Sequence, residues 1–97
     1  MNETKARGML GLAVRAGQAC FGEEACRILI RSGKCGLMLL DGEAGENTRK
    51  KAETLCWAEK VPLAVLPPGL IGEATGRGNI AMALRQGSFA EQLKEYV

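Results

Sequence analysis

The sequence contains no histidine. That absence removes the commonest general base, the commonest metal ligand and every Ser-His-Asp or Cys-His device. No uninterrupted apolar run of about 18 residues occurs, so neither a membrane span nor a membrane partner is expected. The opening stretch MNETKARGML has no apolar h-region before a small-residue cleavage site, which predicts a cytoplasmic protein without a signal peptide. Close cysteine pairs are missing as well. Cys20, Cys26, Cys35 and Cys56 are separated by five, eight and twenty residues. Zinc and iron–sulfur sites need closer ligand pairs, and disulfides are rare in a reducing compartment. Each cysteine lies in or beside an apolar run, so all four are expected to be small buried hydrophobes, with no metal and no cofactor.

The motifs of small enzymes fail in turn. Gly33-Lys34-Cys35 lacks the preceding glycine and the Ser/Thr of a phosphate loop, and Gly72, Gly76 and Gly78 do not form a dinucleotide fingerprint. Glu43 and Glu46 read as solvated loop acids, and Cys56 beside Trp57 reads as packing. These failures predict a protein that is not an enzyme and takes no small-molecule substrate.

What is present is 97 residues, 46% apolar and 25% charged, expected to form one domain over residues 1–97. The net charge of +2 is small, but it is unevenly spread. Residues 1–51 hold nine Lys/Arg against six acids, and residues 52–97 hold four against five. A basic side on an otherwise neutral surface fits a small nucleic-acid binder; the alternative is a set of solvated helix faces.

Three short apolar runs, Cys35 to Leu40, Val61 to Leu66 and Asn79 to Leu84, read as strands covered on both faces. Gln18 to Phe21 can add a short edge strand. Helical patterns fill the intervals. Thr4 to Arg15 puts Met9, Leu12 and Ala13 on one face. Gly22 to Ser32 opens with acids and carries Ala25, Cys26, Leu29 and Ile30 inward. Gly45 to Lys60 turns Ala52, Leu55 and Cys56 inward, with Asn47 or Thr48 as its cap. Leu70 to Gly76 is a short helix. Ser88-Phe89-Ala90-Glu91 reads as a capping box opening the last one. Helices alternating with buried strands predict an α/β fold, an α/β/α sandwich around a small, partly parallel sheet.

In such a sandwich, ligands meet the turns where strands feed helices. Three turns carry suitable chemistry. Gly22-Glu23-Glu24 offers free helix N–H groups and carboxylates that can accept from a guanine amino edge, with Arg27 and Arg31 following at helical spacing toward phosphates. Glu46-Asn47-Thr48-Arg49-Lys50-Lys51 sets three consecutive cations in a helix's first turns, where they oppose its dipole. Leu70-Ile71-Gly72 can wedge against an unstacked base or pack in the core.

Read in order, Leu10-Gly-Leu-Ala-x-Arg-Ala-Gly17, Gly22-Glu-Glu24, Ile30-Arg-x-Gly-Lys34, Leu37 to Leu40, Asn47-Thr-Arg-Lys-Lys51, Val61-Pro62 and Ile71-Gly-x-Ala-x-Gly76 span almost the whole chain. As a collinear set they resemble the bacterial YlxQ-like branch of the ribosomal protein superfamily L-seven-Ae / L-thirty-e. The resemblance implies a three-layer α/β/α sandwich with a small four-stranded mixed sheet. It also implies binding to structured RNA, kink-turn or ribosomal, in a ribosome or small ribonucleoprotein, with ribosomal proteins as further partners. Gly22 then corresponds to the glycine opening the RNA-contacting helix, and Ile71-Gly72 to the apolar-glycine element of the second contacting loop. Tight-binding relatives carry an Asn-Glu or Lys-Gln pair and a lysine where this chain has Glu24, Ala25 and Ile28, which implies weaker kink-turn binding. The alternative is a ribosome-associated protein-interaction module with weak or lost RNA affinity.

Overall fold

Asn2 starts the first helix. Its side-chain oxygen accepts the Lys5 N–H at 3.1 Å and caps α1, Glu3–Arg15. In the computed structural model, which describes residues 1–97, the chain continues through β1 (Ala19–Phe21), α2 (Glu23–Arg31), β2 (Cys35–Asp41) and α3 (Glu46–Glu59). It ends with β3 (Leu63–Leu66), α4 (Leu70–Thr75), β4 (Ala81–Arg85) and α5 (Ser88–Tyr96).

The four strands form one mixed sheet in the order β1-β4-β2-β3. β2 and β3 run parallel, Met38 beside Leu63 and Leu40 beside Val65, while β4 runs antiparallel to both β2 and β1. Side chains alternate across the sheet and separate two apolar layers. Leu37 and Leu39 of β2 and Met82 and Leu84 of β4 join Ala6, Leu10 and Ala13 of α1, Leu70 and Ile71 of α4, and Ala90 and Leu93 of α5. Met38, Leu40, Ala81 and Ala83 face the other way, against Cys26, Leu29 and Ile30 of α2 and Ala52 and Cys56 of α3. The result is the three-layer α/β/α sandwich with a four-stranded mixed sheet.

Several local expectations are corrected. The buried face of α1 is Ala6, Leu10 and Ala13; Leu12 points to solvent, because a stripe at positions i, i+4 and i+7 places it on the opposite side. Neither Asn47 nor Thr48 caps α3; the N-cap is Gly45, and no side chain closes that end. Ser88 is the first helical residue of α5 rather than its cap, which is Gly87, so the capping box does not form. Val61 and Pro62 fall outside β3. The Val61 N–H closes the end of α3 on the Cys56 carbonyl, and Pro62 has no N–H to give a ladder. β4 starts at Ala81, two residues later than expected, and runs through Arg85. Cys26, Cys35 and Cys56 are buried, whereas Cys20 is only half-buried.

Candidate nucleic-acid interface

Strand direction decides where the site lies. β1, β2 and β3 end, and β4 begins, at the same end of the sandwich, since Phe21 pairs with Met82, Leu40 with Ala81 and Asp41 with Leu66. The turns after Phe21, Asp41 and Leu66 therefore gather there, and α2, α3 and α4 all start at this end. None of the three starts is closed by a capping side chain. At α2 and α3 the first backbone N–H groups have no acceptor within the chain and remain donors for an external one, with the helix dipoles adding partial positive charge, whereas at α4 the Leu70 N–H is taken by the Pro67 carbonyl.

Gly22 shapes the first turn. It sits at φ 91° and ψ 153°, donates its N–H to the Ala81 carbonyl at 2.9 Å and accepts the Cys26 N–H on its own carbonyl at 3.0 Å. A side chain at that φ costs on the order of 1–3 kcal/mol, so glycine is the residue this turn requires.

The second and third turns are fastened together by a residue that the sequence did not single out. Asp41, the only buried charged side chain and 5% exposed, accepts the Glu43 N–H on Oδ1 and the Gly69 N–H on Oδ2, both at 2.9 Å. Gly42 completes the contact. A Cβ there would lie 2.8 Å from the Leu66 carbonyl oxygen and 2.9 Å from the Pro68 ring, so only glycine lets the two turns pack this closely. The available signal was an acid ending an otherwise apolar strand and followed at once by glycine.

Between α2 and α3 runs an open groove of about 900 Å³ whose lining includes Glu23, Glu24, Arg27, Arg31, Thr48 and Lys51. Met38, Ala52, Leu55 and Ala58 supply its apolar part. The charges are not equivalent. Arg27 is held by both carboxylate oxygens of Glu24, which holds the Glu24 carboxyl below the usual range and pushes the Arg27 guanidinium up. Lys50 is paired with Glu46 at 3.2 Å. Arg31, Arg49 and Lys51 have no carboxylate partner and stand exposed. Asn47 is exposed on the first turn of α3, and Arg49 faces a separate hollow beside Gly42 and Glu53.

Leu70 and Ile71 are corrected here. They are 1% and 0% exposed, packed in the core under α1, and have no surface to place against a base. Gly72 is half-buried, so at this turn the accessible chemistry is backbone. Ile28, by contrast, is 60% exposed on the side of α2 away from the groove. Sequence reasoning also passed over Arg77, whose guanidinium lies 4.5 Å from the centre of the Phe21 ring and so sits beside Gly22. The Gly76-Arg77-Gly78-Asn79 stretch was its visible sign.

No protein-family profile matches the chain. Two relatives do. One, named RNA-binding protein YlxQ, from Enterococcus faecium, is 30% identical over 97 residues, covering 99% of this chain and 94% of its own. The other, of the same name from Bacillus subtilis, is 33% identical over 87 residues, covering 88% and 87%. This chain belongs to the YlxQ family. Among solved structures, a Bacillus halodurans protein described as of unknown function superposes with a TM-score of 0.90 at 29% identity over 95% of both chains. The Giardia lamblia 15.5kD RNA binding protein shares the fold, with a TM-score of 0.76 at 11% identity, covering 100% of this chain and 92% of its own.

Within this YlxQ-family fold the thiols differ sharply. Burial pushes Cys35 and Cys56 up to about 11. Cys20 is brought down to about 7 by a hydrogen bond with the Cys26 thiol, helped by the Ala83 backbone and the Arg85 charge and opposed by burial, while Cys26 is pushed upward. The reactive species is the thiolate. Iodoacetamide at neutral pH is therefore expected to add one carbamidomethyl group quickly, at Cys20, with reactivity rising as pH passes through about 7. The other three are expected to react only after denaturation. Peptide mass mapping checks this; fast labelling of Cys35 or Cys56 in the folded protein contradicts it.

Proposed function

We propose that this chain binds structured RNA at the loop end of the sandwich, with kink-turn RNA as the preferred class. The partner setting is a ribosome or small ribonucleoprotein in the cytoplasm, and no chemical step is performed. The observation that carries this reading is the convergence of three helix starts without capping side chains, with Arg49 and Lys51 free of carboxylates in the first turns of α3 and Arg31 free of them further along the α2–α3 groove. The printed names of the YlxQ relatives and of the Giardia protein support RNA as the partner.

The contacts divide by role. Arg31, Arg49 and Lys51 meet phosphates and supply affinity that is independent of sequence. Free N–H groups at the starts of α2 and α3 and at Gly72 position the RNA. Glu23 and Asn47 reach base edges. A carboxylate accepts from a guanine amino group, and an amide both accepts and donates. A titration at two salt concentrations against a kink-turn RNA and a plain duplex of equal length tests this. Tighter binding to the kink-turn is expected. Equal, weak binding to both removes the kink-turn preference, and no binding to either removes RNA altogether.

A second reading, a ribosome-associated protein-interaction module with weak RNA affinity, is favoured by one observation: Glu24 already occupies the Arg27 guanidinium. The two readings separate on Glu24→Gln. If RNA is the partner, releasing Arg27 and removing a charge that repels phosphate tightens kink-turn binding several-fold and steepens its salt dependence by roughly 0.7–0.9 in log–log slope. If protein docking is the function, that substitution leaves RNA affinity weak and unchanged.

A further inference from the structure

The molecule carries a second hollow that the proposed RNA face does not use. It lies on the other side of α2, between that helix and β1, and encloses about 490 Å³. Ala19 and Cys20 of β1 and Ala25, Ile28 and Leu29 of α2 form its apolar part, with Gly17 and Ser32 beside them. Lys34 and Arg85, both exposed, complete it at the end of the sandwich remote from Gly22.

Three features of this place are independent of one another. Ile28 is 60% exposed, a branched apolar side chain left in water in the middle of a helix. β1 is an edge strand, paired with β4 on one side and open on the other. An open edge is a template for one more strand. Lys34 and Arg85 have no carboxylate within ion-pair distance, whereas Arg7, Arg27, Lys50 and Lys94 each have one. A partly apolar hollow, a free strand edge and two unneutralised cations side by side complement one kind of ligand.

We propose that the hollow receives an extended acidic–apolar segment of a partner protein, added alongside β1. In a strand, alternate side chains fall on one face, so one apolar side chain meets Ile28 and a neighbouring acid two positions on reaches Lys34 and Arg85. RNA fits the place poorly. No aromatic ring lines it to stack a base, and the open strand edge offers the repeat of N–H and C=O groups that a peptide backbone matches. Because the hollow and the loop end lie at opposite ends of β1, RNA and peptide can be held together, which would make the protein an adaptor between the two.

The test pans displayed random peptides against the immobilised full chain and then titrates the selected sequence, made synthetically, into isotope-labelled protein. Peptides that combine aliphatic residues with Asp or Glu are expected, shifting the Ala19 and Phe21 backbone amides. Ile28→Asp, and Lys34→Glu combined with Arg85→Glu, are each expected to weaken that peptide at least about tenfold, the scale of a modest interface anchor, without changing the melting temperature. Should Ile28→Asp unfold, the charge-reversed variant alone decides, since both its positions are exposed. The idea is overturned if no sequence is enriched, if the selected peptide ignores both variants, or if oligouridylate shifts the Ala19 and Phe21 amides and the peptide does not. Kink-turn RNA titrated into the same variants keeps its affinity if the two surfaces are separate. Loss of the peptide thus reads independently of the RNA assignment.

Discussion

Replacing Arg31, Arg49 and Lys51 together by alanine is expected to weaken RNA binding about a hundredfold at physiological salt. Each phosphate contact contributes roughly 0.7–0.9 to the log–log salt slope. Near 0.15 M salt that corresponds to about fourfold to fivefold in affinity per contact, so three contacts compound to about two orders of magnitude and the slope flattens by about two to three units. All three side chains are exposed and none makes an ion pair, so the fold is expected to be untouched. Arg27→Ala alone is expected to do less, because its guanidinium must first leave Glu24. Kink-turn and duplex RNA should lose affinity by similar factors, since phosphates carry no sequence. An unchanged slope places the RNA on another surface.

Asp41→Ala is expected to cost more stability than the removal of any other charged side chain. The carboxylate satisfies the N–H groups of Glu43 and Gly69. A buried donor left without a partner costs about 1–3 kcal/mol; both bonds here are part-buried, so the substitution is expected to cost about 1–3 kcal/mol in all. A domain of this size has about 5–15 kcal/mol of stability in all. At about 4–8 °C per kcal/mol, the melting temperature is expected to fall by about 5–20 °C. Asp41→Asn keeps one acceptor oxygen for one of the two N–H groups and is expected to fall by less. Below its melting point, Asp41→Ala is also expected to bind RNA more weakly, because the second and third turns are no longer fastened together. An unchanged melting temperature would mean that water replaces the carboxylate and the joint is not structural.

The architecture was legible because it rests on patterns that local chemistry enforces. Cys35 to Leu40 is apolar at every position and short, bounded by Gly33 and Gly42, as a strand covered on both faces is, and the alternation of helices with such strands gathers the turns at one end. The sequence did not reveal features that depend on distant partners. Asp41 finds Gly69 across 28 positions, and nothing local marks an acid at a strand end as a brace rather than a solvated side chain. The Leu70-Ile71 pair is equally apolar as a wedge or as core; α1 packing over it decides. Helix starts misled for a simpler reason. Polar residues near Gly45 and Gly87 invited a side-chain cap, but the turns place the glycines at the cap and leave Asn47, Thr48 and Ser88 inside the helices. A register irregularity between Cys35 and Leu37 puts these two residues on opposite faces of the sheet, which strict alternation would have forbidden.

The pairing of β1 with β4 has a kinetic consequence. β2, α3 and β3 are consecutive and can assemble from contacts between neighbours in the chain. Cys20, however, pairs with Ala83, so the first strand waits for the last. Contacts of such long sequence separation are formed late, after loop-closure entropy has been met by the rest of the structure. During synthesis α1 and β1 emerge first yet cannot dock until β4 has left the ribosomal tunnel. Mutations in β2 and α3 should therefore slow refolding, while mutations at the β1–β4 seam should chiefly speed unfolding.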